Sequence, residues 1–279
     1  MTASLLLDDL VRATLREDLG LAGDITTDAI VPETLTASAA LVARKPGVVA
    51  GLDVAIHAFR LLDPEMSVKI GRPDGAKVAA GDTIATFTGK GRALLTAERT
   101  ALNFLCRLSG IATATSQLCA MIQSHKARIV CTRKTTPGLR ALEKHAVRLG
   151  GGGNHRFGLD DAVLIKDNHI AIAGGIRPAV ERARKHAGHL TKIEVEVDTL
   201  AQLEEAFALE VDVVLLDNMP PAMLSEAVKM IDGRCLAEAS GNVSRETVAA
   251  IAATGVDLIS VGWLTHSAPA LDIGLDFVA

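Results

Sequence analysis

The chain has 279 residues, 29 Lys+Arg against 33 Asp+Glu, a formal net charge of -4, and 3% aromatic residues with one Trp, six Phe and no Tyr. That balance, with so few stacking platforms, argues against a general nucleic-acid binder, and 49% hydrophobic with 22% charged residues excludes wholesale disorder. No apolar run approaches the roughly 20 residues of a membrane-spanning helix. The first ten residues carry no basic region and place Asp8 and Asp9 early, so a secretory signal is not expected and the expected location is cytoplasmic. Cys106, Cys119, Cys131 and Cys235 are scattered without C-x-x-C spacing, which reads as four idle thiols in a reducing compartment.

In chain order, residues 5–19 have helical periodicity, broken by Gly23-Asp24-Ile25-Thr26-Thr27. Residues 37–49 read as strand, 54–62 as helix, and 67–88 as short strands turning at Pro73-Asp74-Gly75 and Gly81-Asp82. Residues 96–124 form a long apolar helical stretch that Ser109-Gly110 could interrupt. A regular beat then sets in. Six short strand-like runs, 128–132, 162–165, 192–197, 211–216, 235–239 and 258–261, each lead into helical or turn sequence. This alternation predicts parallel βα units. Six in succession without a Gly-x-Gly-x-x-Gly fingerprint point to a barrel in place of an open dinucleotide-binding sheet.

In such barrels the reacting groups stand at the C-terminal ends of the strands. Here five runs end in Arg133-Lys134, in Lys166-Asp167-Asn168-His169, in Asp217-Asn218, in Ser240-Gly241, and in Gly262 with Thr265-His266 just beyond. The remaining run carries Glu194 and Glu196, on one face by strand alternation. A single charged strand end is ordinary solvation; six in succession predict a shared site. Early strands supply cations, middle strands carboxylates, and late strands small residues. Arg140, Lys144, Arg148, His155 and Arg156 extend the cationic group. Clustered cations call for an anionic ligand, and Arg forks suit carboxylate and phosphate. Glu196 and Asp217 suit ribose hydroxyls or a magnesium ion arriving with phosphates. Ser240-Gly241 and Val261-Gly262 let backbone N–H groups approach a phosphate closely. The expected ligand is a polyanion containing carboxylate, sugar and phosphate.

The run Gly150-Gly151-Gly152-Gly153 reads as a loop that bends sharply and aims His155 and Arg156 inward. Lys144, Arg148, His186 and His189 read as solvated helix residues. His57 and His125 have no site company, and Glu194 ranks behind Glu196 as a ligand-facing carboxylate.

Three motifs together resemble the quinolinate phosphoribosyltransferase family, the nicotinate-nucleotide pyrophosphorylases of NAD biosynthesis. They are Thr132-Arg133-Lys134-Thr135-Thr136-Pro137-Gly138-Leu139-Arg140, Asn154-His155-Arg156 and Leu164-Ile165-Lys166-Asp167-Asn168-His169. Glu98-Arg99-Thr100-Ala101-Leu102-Asn103, Glu194-Val195-Glu196-Val197, Leu216-Asp217-Asn218-Met219 and Leu264-Thr265-His266-Ser267-Ala268 extend the likeness over nearly the whole chain. Two departures stand out: Cys131 where an acidic residue is common, and Asn242 where a second glycine is common.

The resemblance implies an α/β fold: an N-terminal α/β sandwich over residues 1–110, an incomplete, open α/β barrel of six to seven parallel strands over 111–269, and a tail, 270–279, packing on the first domain. It implies transfer of phosphoribose from 5-phosphoribosyl 1-pyrophosphate to quinolinate with Mg²⁺, releasing nicotinate mononucleotide, pyrophosphate and CO₂. It implies a homodimer with shared sites, in which Arg99 reaches a partner's barrel. Arg99, Arg133, His155, Arg156 and Lys166 would then receive the carboxylates of quinolinate, with Lys134 and Arg140 toward pyrophosphate or the second carboxylate. Glu196 and Asp217 would hold the ribose hydroxyls, help the metal and stabilise charge at the anomeric carbon. Ser240, Gly241, Gly262 and His266 would grip the 5-phosphate. Lys134, Lys166, Glu196 and Asp217 form the expected catalytic set. Rival readings are a Schiff-base barrel lyase using Lys166 as nucleophile and a transport-associated relative of the same family.

Overall fold

A computed structural model describes residues 4–278, with side chains from 7 to 277; Met1 to Ala3 and Ala279, at the two ends of the expected domains, lie outside the described residues. The chain forms two units. The first takes the residues up to Ser116, Pro137–Gly151 and the residues from Ser267 on; the second takes Gln117–Thr136 and Gly152–His266.

The chain begins with α1 (Ser4–Leu19), α2 (Ile25–Ile30), β1 (Thr36–Ala43), β2 (Gly47–Val48), α3 (Leu52–Leu62), β3 (Ser67–Ile70), β4 (Lys77–Val78), β5 (Thr83–Lys90) and α4 (Gly91–Met121). Then come β6 (Arg128–Val130), α5 (Arg140–Leu149), β7 (Val163–Ile165), α6 (Asp167–Ala173), α7 (Ile176–His186), β8 (Ile193–Val197) and α8 (Leu200–Phe207). It closes with β9 (Val213–Asp217), α9 (Pro221–Ile231), β10 (Leu236–Ser240), α10 (Val248–Ala253), β11 (Leu258–Ser260), α11 (Trp263–His266) and β12 (Ile273–Val278).

In the first unit an antiparallel sheet has the order β12-β1-β5-β3. The chain's last strand therefore pairs with its first. Phe59 of α3 and Phe87 of β5, both fully buried, meet at 4.5 Å between ring centroids. Local chemistry corrects three expectations. The break at 23–27 starts a new helix, because the Asp24 carboxylate accepts from the Thr27 N–H at 3.0 Å and caps α2. The expected strand 37–49 is two strands, and Pro46, which lacks an N–H, falls in the gap. Helix α4 runs unbroken through Ser109-Gly110. A Cβ on Gly110 would lie 2.1 Å from the Pro269 carbonyl oxygen, so the glycine serves close backbone approach. Ser109 in turn bonds both backbone groups of Ala50.

Lys144 departs from its expected solvated setting. It is 1% exposed on α5, beside Glu143, which is fully buried and accepts from Arg107 Nη2 at 3.0 Å. The apolar stripe of α5, Leu142, Ala146 and Val147, faces inward and carries this pair in with it.

The second unit is a six-stranded parallel sheet, β6-β11-β10-β9-β8-β7. The two strands first in sequence stand at opposite ends and do not pair, so the barrel is open. Gly153 runs beside the outer edge of β6, its N–H donating to the Ile129 carbonyl at 2.8 Å, so part of the glycine run is a paired edge. Alternate residues on the strands part company. Val195, Val197, Val214, Leu216, Ala237 and Ala239 are buried on one face. The interior face instead carries Glu194, Glu196, Leu215, Asp217, Glu238 and Ser240. Cys106, Cys119 and Cys235 are free thiols. Among the described residues no helix is long and apolar enough to cross a membrane.

Candidate active site

The C-terminal ends of the six strands enclose a mouth of about 700 Å³. In chain order its lining includes Arg133, Lys134, His155, Arg156 and Lys166, then Glu196 and Asp217, then Ser240, Gly241, Gly262 and His266. Arg99 stands on α4 and Arg140 opens α5, both in the first unit.

Hydrogen bonds position each group. After β6 the Lys134 N–H donates to Thr132 Oγ1 at 3.1 Å, and its carbonyl accepts from Thr265 Oγ1 at 2.8 Å, tying this turn to α11. After β7 the Lys166 N–H donates to His169 Nδ1 at 2.9 Å, which sets the start of α6. Lys166 Nζ then reaches across to Glu196 Oε2 at 2.9 Å. Glu196 is the more enclosed partner, with 15% of its side chain exposed against 48% for the lysine. An ion-paired ammonium has no lone pair for attack, which disfavours Lys166 as a Schiff-base nucleophile.

Asp217 ends β9, and its Oδ2 accepts from Asn218 Nδ2 at 2.6 Å; Asn218 Oδ1 accepts from Asn242 Nδ2 at 3.1 Å. Both asparagines hold left-handed backbone, φ 52 and 49, which Asn tolerates better than most residues. Gly241 between them has φ +90, and a Cβ there would stand 2.1 Å from Asn218 Oδ1. Glycine is what lets the β10 turn close over Asn218.

The wall of the mouth holds a buried polar cluster. His155 Nε2 is 2.9 Å from Glu194 Oε2 and 3.6 Å from Glu238 Oε1, while the Arg156 N–H donates to His155 Nδ1 at 2.7 Å. Burial, then the charge of Glu194, pushes the Glu238 carboxyl up to about 7. Burial, then the neighbouring charge of Arg133, lowers Arg156 from the usual guanidinium range, with Glu194 acting in the other direction. Glu194, which ranked second as a ligand-facing residue, is thus placed beneath the mouth, engaged with His155.

Sequence reasoning missed Glu238, Asn242 and Trp263 as lining residues. Glu238 had a signal, as the one charge inside the run 235–239, flanked by Ala237 and Ala239. Trp263 sits at the mouth with its Nε1 donating to the Val243 carbonyl at 3.0 Å, so the chain's single Trp is at the site. The mouth as a whole offers four long cations for an anion, two carboxylates for hydroxyls or growing positive charge, and a small-residue rim.

Residues 111–276 match the family model of the quinolinate phosphoribosyl transferase C-terminal domain, and residues 24–109 that of the N-terminal domain. The chain belongs to the quinolinate phosphoribosyl transferase family. It is 47% identical to a nicotinate-nucleotide pyrophosphorylase (carboxylating) of Mycobacterium leprae, covering 96% of each chain. It is 45% identical to a probable enzyme of the same name from Bacillus subtilis, covering 93% of this chain and 89% of that one. A solved nicotinate-nucleotide pyrophosphorylase from Francisella tularensis superposes with a TM-score of 0.96 at 41% identity, covering 100% of this chain and 98% of that one. In this family member the two departures leave the charges of the mouth in place: Cys131 is buried with its Sγ 3.3 Å from Asn154 Oδ1, and Asn242 joins the amide chain to Asp217.

Proposed function

We propose that this enzyme transfers phosphoribose from 5-phosphoribosyl 1-pyrophosphate to quinolinate and decarboxylates the product to nicotinate mononucleotide, in de novo NAD biosynthesis. The observation that carries the reading is the sorted charge of one mouth: Arg133, Lys134, Arg156 and Lys166 stand around Glu196 and Asp217. Quinolinate brings two carboxylates, which the guanidiniums and ammoniums match. As the C1–O bond of the donor breaks, pyrophosphate leaves with the electron pair and positive charge grows on the ribose. Glu196 and Asp217 stabilise that charge electrostatically. The pyridine nitrogen bonds to C1 and becomes cationic. The bond to the adjacent carboxylate then cleaves, CO₂ leaves, and the electron pair stays on the ring carbon beside the cationic nitrogen until water protonates it. This step asks the protein for positioning more than for an acid.

Ser240, Gly241, Gly262 and His266 hold the 5-phosphate in this reading, and Lys134 and Arg140 the pyrophosphate. Magnesium fits the donor set. Glu196 and Asp217 stand on neighbouring strands, each with one oxygen engaged and the other without a hydrogen bond among the described residues, and hard carboxylate oxygens suit this cation. When bound, the ion neutralises the departing pyrophosphate. The enzyme works as a homodimer in which Arg99 of each subunit completes the partner's mouth, and it acts in the cytoplasm.

Incubating the purified chain with quinolinate, phosphoribosyl pyrophosphate and Mg²⁺, beside nicotinate as control, tests the reading. Quinolinate-dependent nicotinate mononucleotide and CO₂ are expected. Failure to form them overturns it, and equal use of nicotinate assigns the non-decarboxylating reaction.

A further inference from the structure

The proposed reaction leaves two buried carboxyls without a task. Glu194 and Glu238 project from β8 and β10, the strands that flank β9, and are 6% and 2% exposed. The Oε1 atom of each is buried with no hydrogen-bond partner. A buried carboxyl oxygen without a hydrogen bond is costly, so two of them at an active-site mouth need a reason.

His155 supplies one. Its Nδ1 accepts the Arg156 N–H, so that nitrogen carries no proton. The ring's proton is then on Nε2, which points at Glu194 Oε2 at 2.9 Å. A second ring proton would have to displace the Arg156 N–H. Two carboxylates this close to one imidazole N–H cannot both stay ionised in a desolvated site. Glu238, the more buried of the two and farther from His155 at 3.6 Å, is the one that keeps a proton.

We propose that Glu194 and Glu238 are positioning residues: Glu194 holds His155 against the wall of the mouth as its neutral Nε2–H tautomer, and uncharged Glu238 backs that pair from the barrel interior. Arg133 and Arg156, in place of an imidazolium, then meet the carboxylates of the acidic acceptor. This last clause rests on the proposed function; the tautomer does not. The ligand atoms of the three groups lie within 4.8 Å of one another, a spacing a divalent ion could also use. Arg156 feels the charge of Glu194 and, in the opposite sense, that of Arg133, so the site does not lack cations.

The test is ¹⁵N NMR of the full chain labelled at histidine, with the His155 signals assigned through His155→Asn. A neutral Nε2–H pattern is expected near neutral pH. Glu194→Gln is expected to mix the tautomers and to raise KM for quinolinate about tenfold, with kcat changed less. Glu238→Gln, uncharged and of the same shape, is expected to keep the tautomer, which a role as a charged carboxylate would not allow. An imidazolium or Nδ1–H pattern in the wild type overturns the proposal, as does an unchanged tautomer in Glu194→Gln. Movement of the His155 signals on adding Mg²⁺ or Zn²⁺ overturns it in favour of a metal site. Should quinolinate prove not to be the acceptor, the KM readout falls away and the spectra still decide.

Discussion

Burial and the nearby charge of Glu194 raise Glu238 from its ordinary value of 4.5 to about 7. Between those values the folded chain keeps a proton that the unfolded chain has lost. The carboxyl therefore contributes stability that is fully present below 4.5 and is lost as pH rises through about 7. Glu238→Gln is uncharged throughout and escapes this loss. Its thermal midpoint, compared with wild type, is expected to shift in the variant's favour on going from about pH 5 to about pH 8. A difference independent of pH in melting scans would contradict this account of the residue. Lys166 belongs to the same scale. Its ammonium is held at 2.9 Å from Glu196 and presented to the mouth. Lys166→Ala is expected to lower kcat/KM by about 100-fold, the usual result of removing one placed electrostatic group; a change under about threefold in steady-state assays would remove it from the catalytic set.

At the scale of elements, short strands and tight turns place the chemistry. The β10 turn shows how: Gly241 at φ +90 lets Asn218 and Asn242 interlock, and that chain ends on the Asp217 carboxylate. Gly241→Ala combines an unfavourable φ with a contact of 2.1 Å. Urea unfolding is expected to show a loss of roughly 1–3 kcal/mol, and the KM for phosphoribosyl pyrophosphate is expected to rise as Asp217 shifts. Unaltered stability and KM would mean the turn has slack. Elements also explain where sequence reading stopped. The six barrel strands were legible because each is a short apolar run that leads into helical or turn sequence. The unbroken course of α4 was not, because Gly110 signals a helix break locally and close backbone packing only in three dimensions. Lys144 looked solvated because a lysine on a helix normally is, and only the packing of α5 buries it.

On the whole-molecule scale the chain is interleaved. One unit collects its beginning, its end and the segment Pro137–Gly151, so Arg140 and Arg133, seven positions apart, belong to different units. Arg99 is exposed on α4 in that first unit, and the shared-site reading assigns it to a partner's barrel. Mixing Arg99→Ala with Lys166→Ala subunits is expected to restore part of the activity that each lacks alone. A mixed dimer would hold one mouth with both defects and one with neither. Confirmed heterodimers without recovered activity would confine Arg99 to its own subunit or to no site.

The order of apolar runs and the charged residues at their ends pointed to a barrel with a polar mouth, and the resemblance carried by the motifs implied the family and the open form of that barrel. Those follow from residue type and local period, which a linear chain displays. Only the tertiary structure decided the pairings: Lys166 with Glu196 thirty positions on, and His155 over Glu194 and Glu238 from strands separated by a third. Burial is a property of the assembled sheet, and it turns Glu238, one charge in an apolar strand, into a carboxyl that keeps its proton.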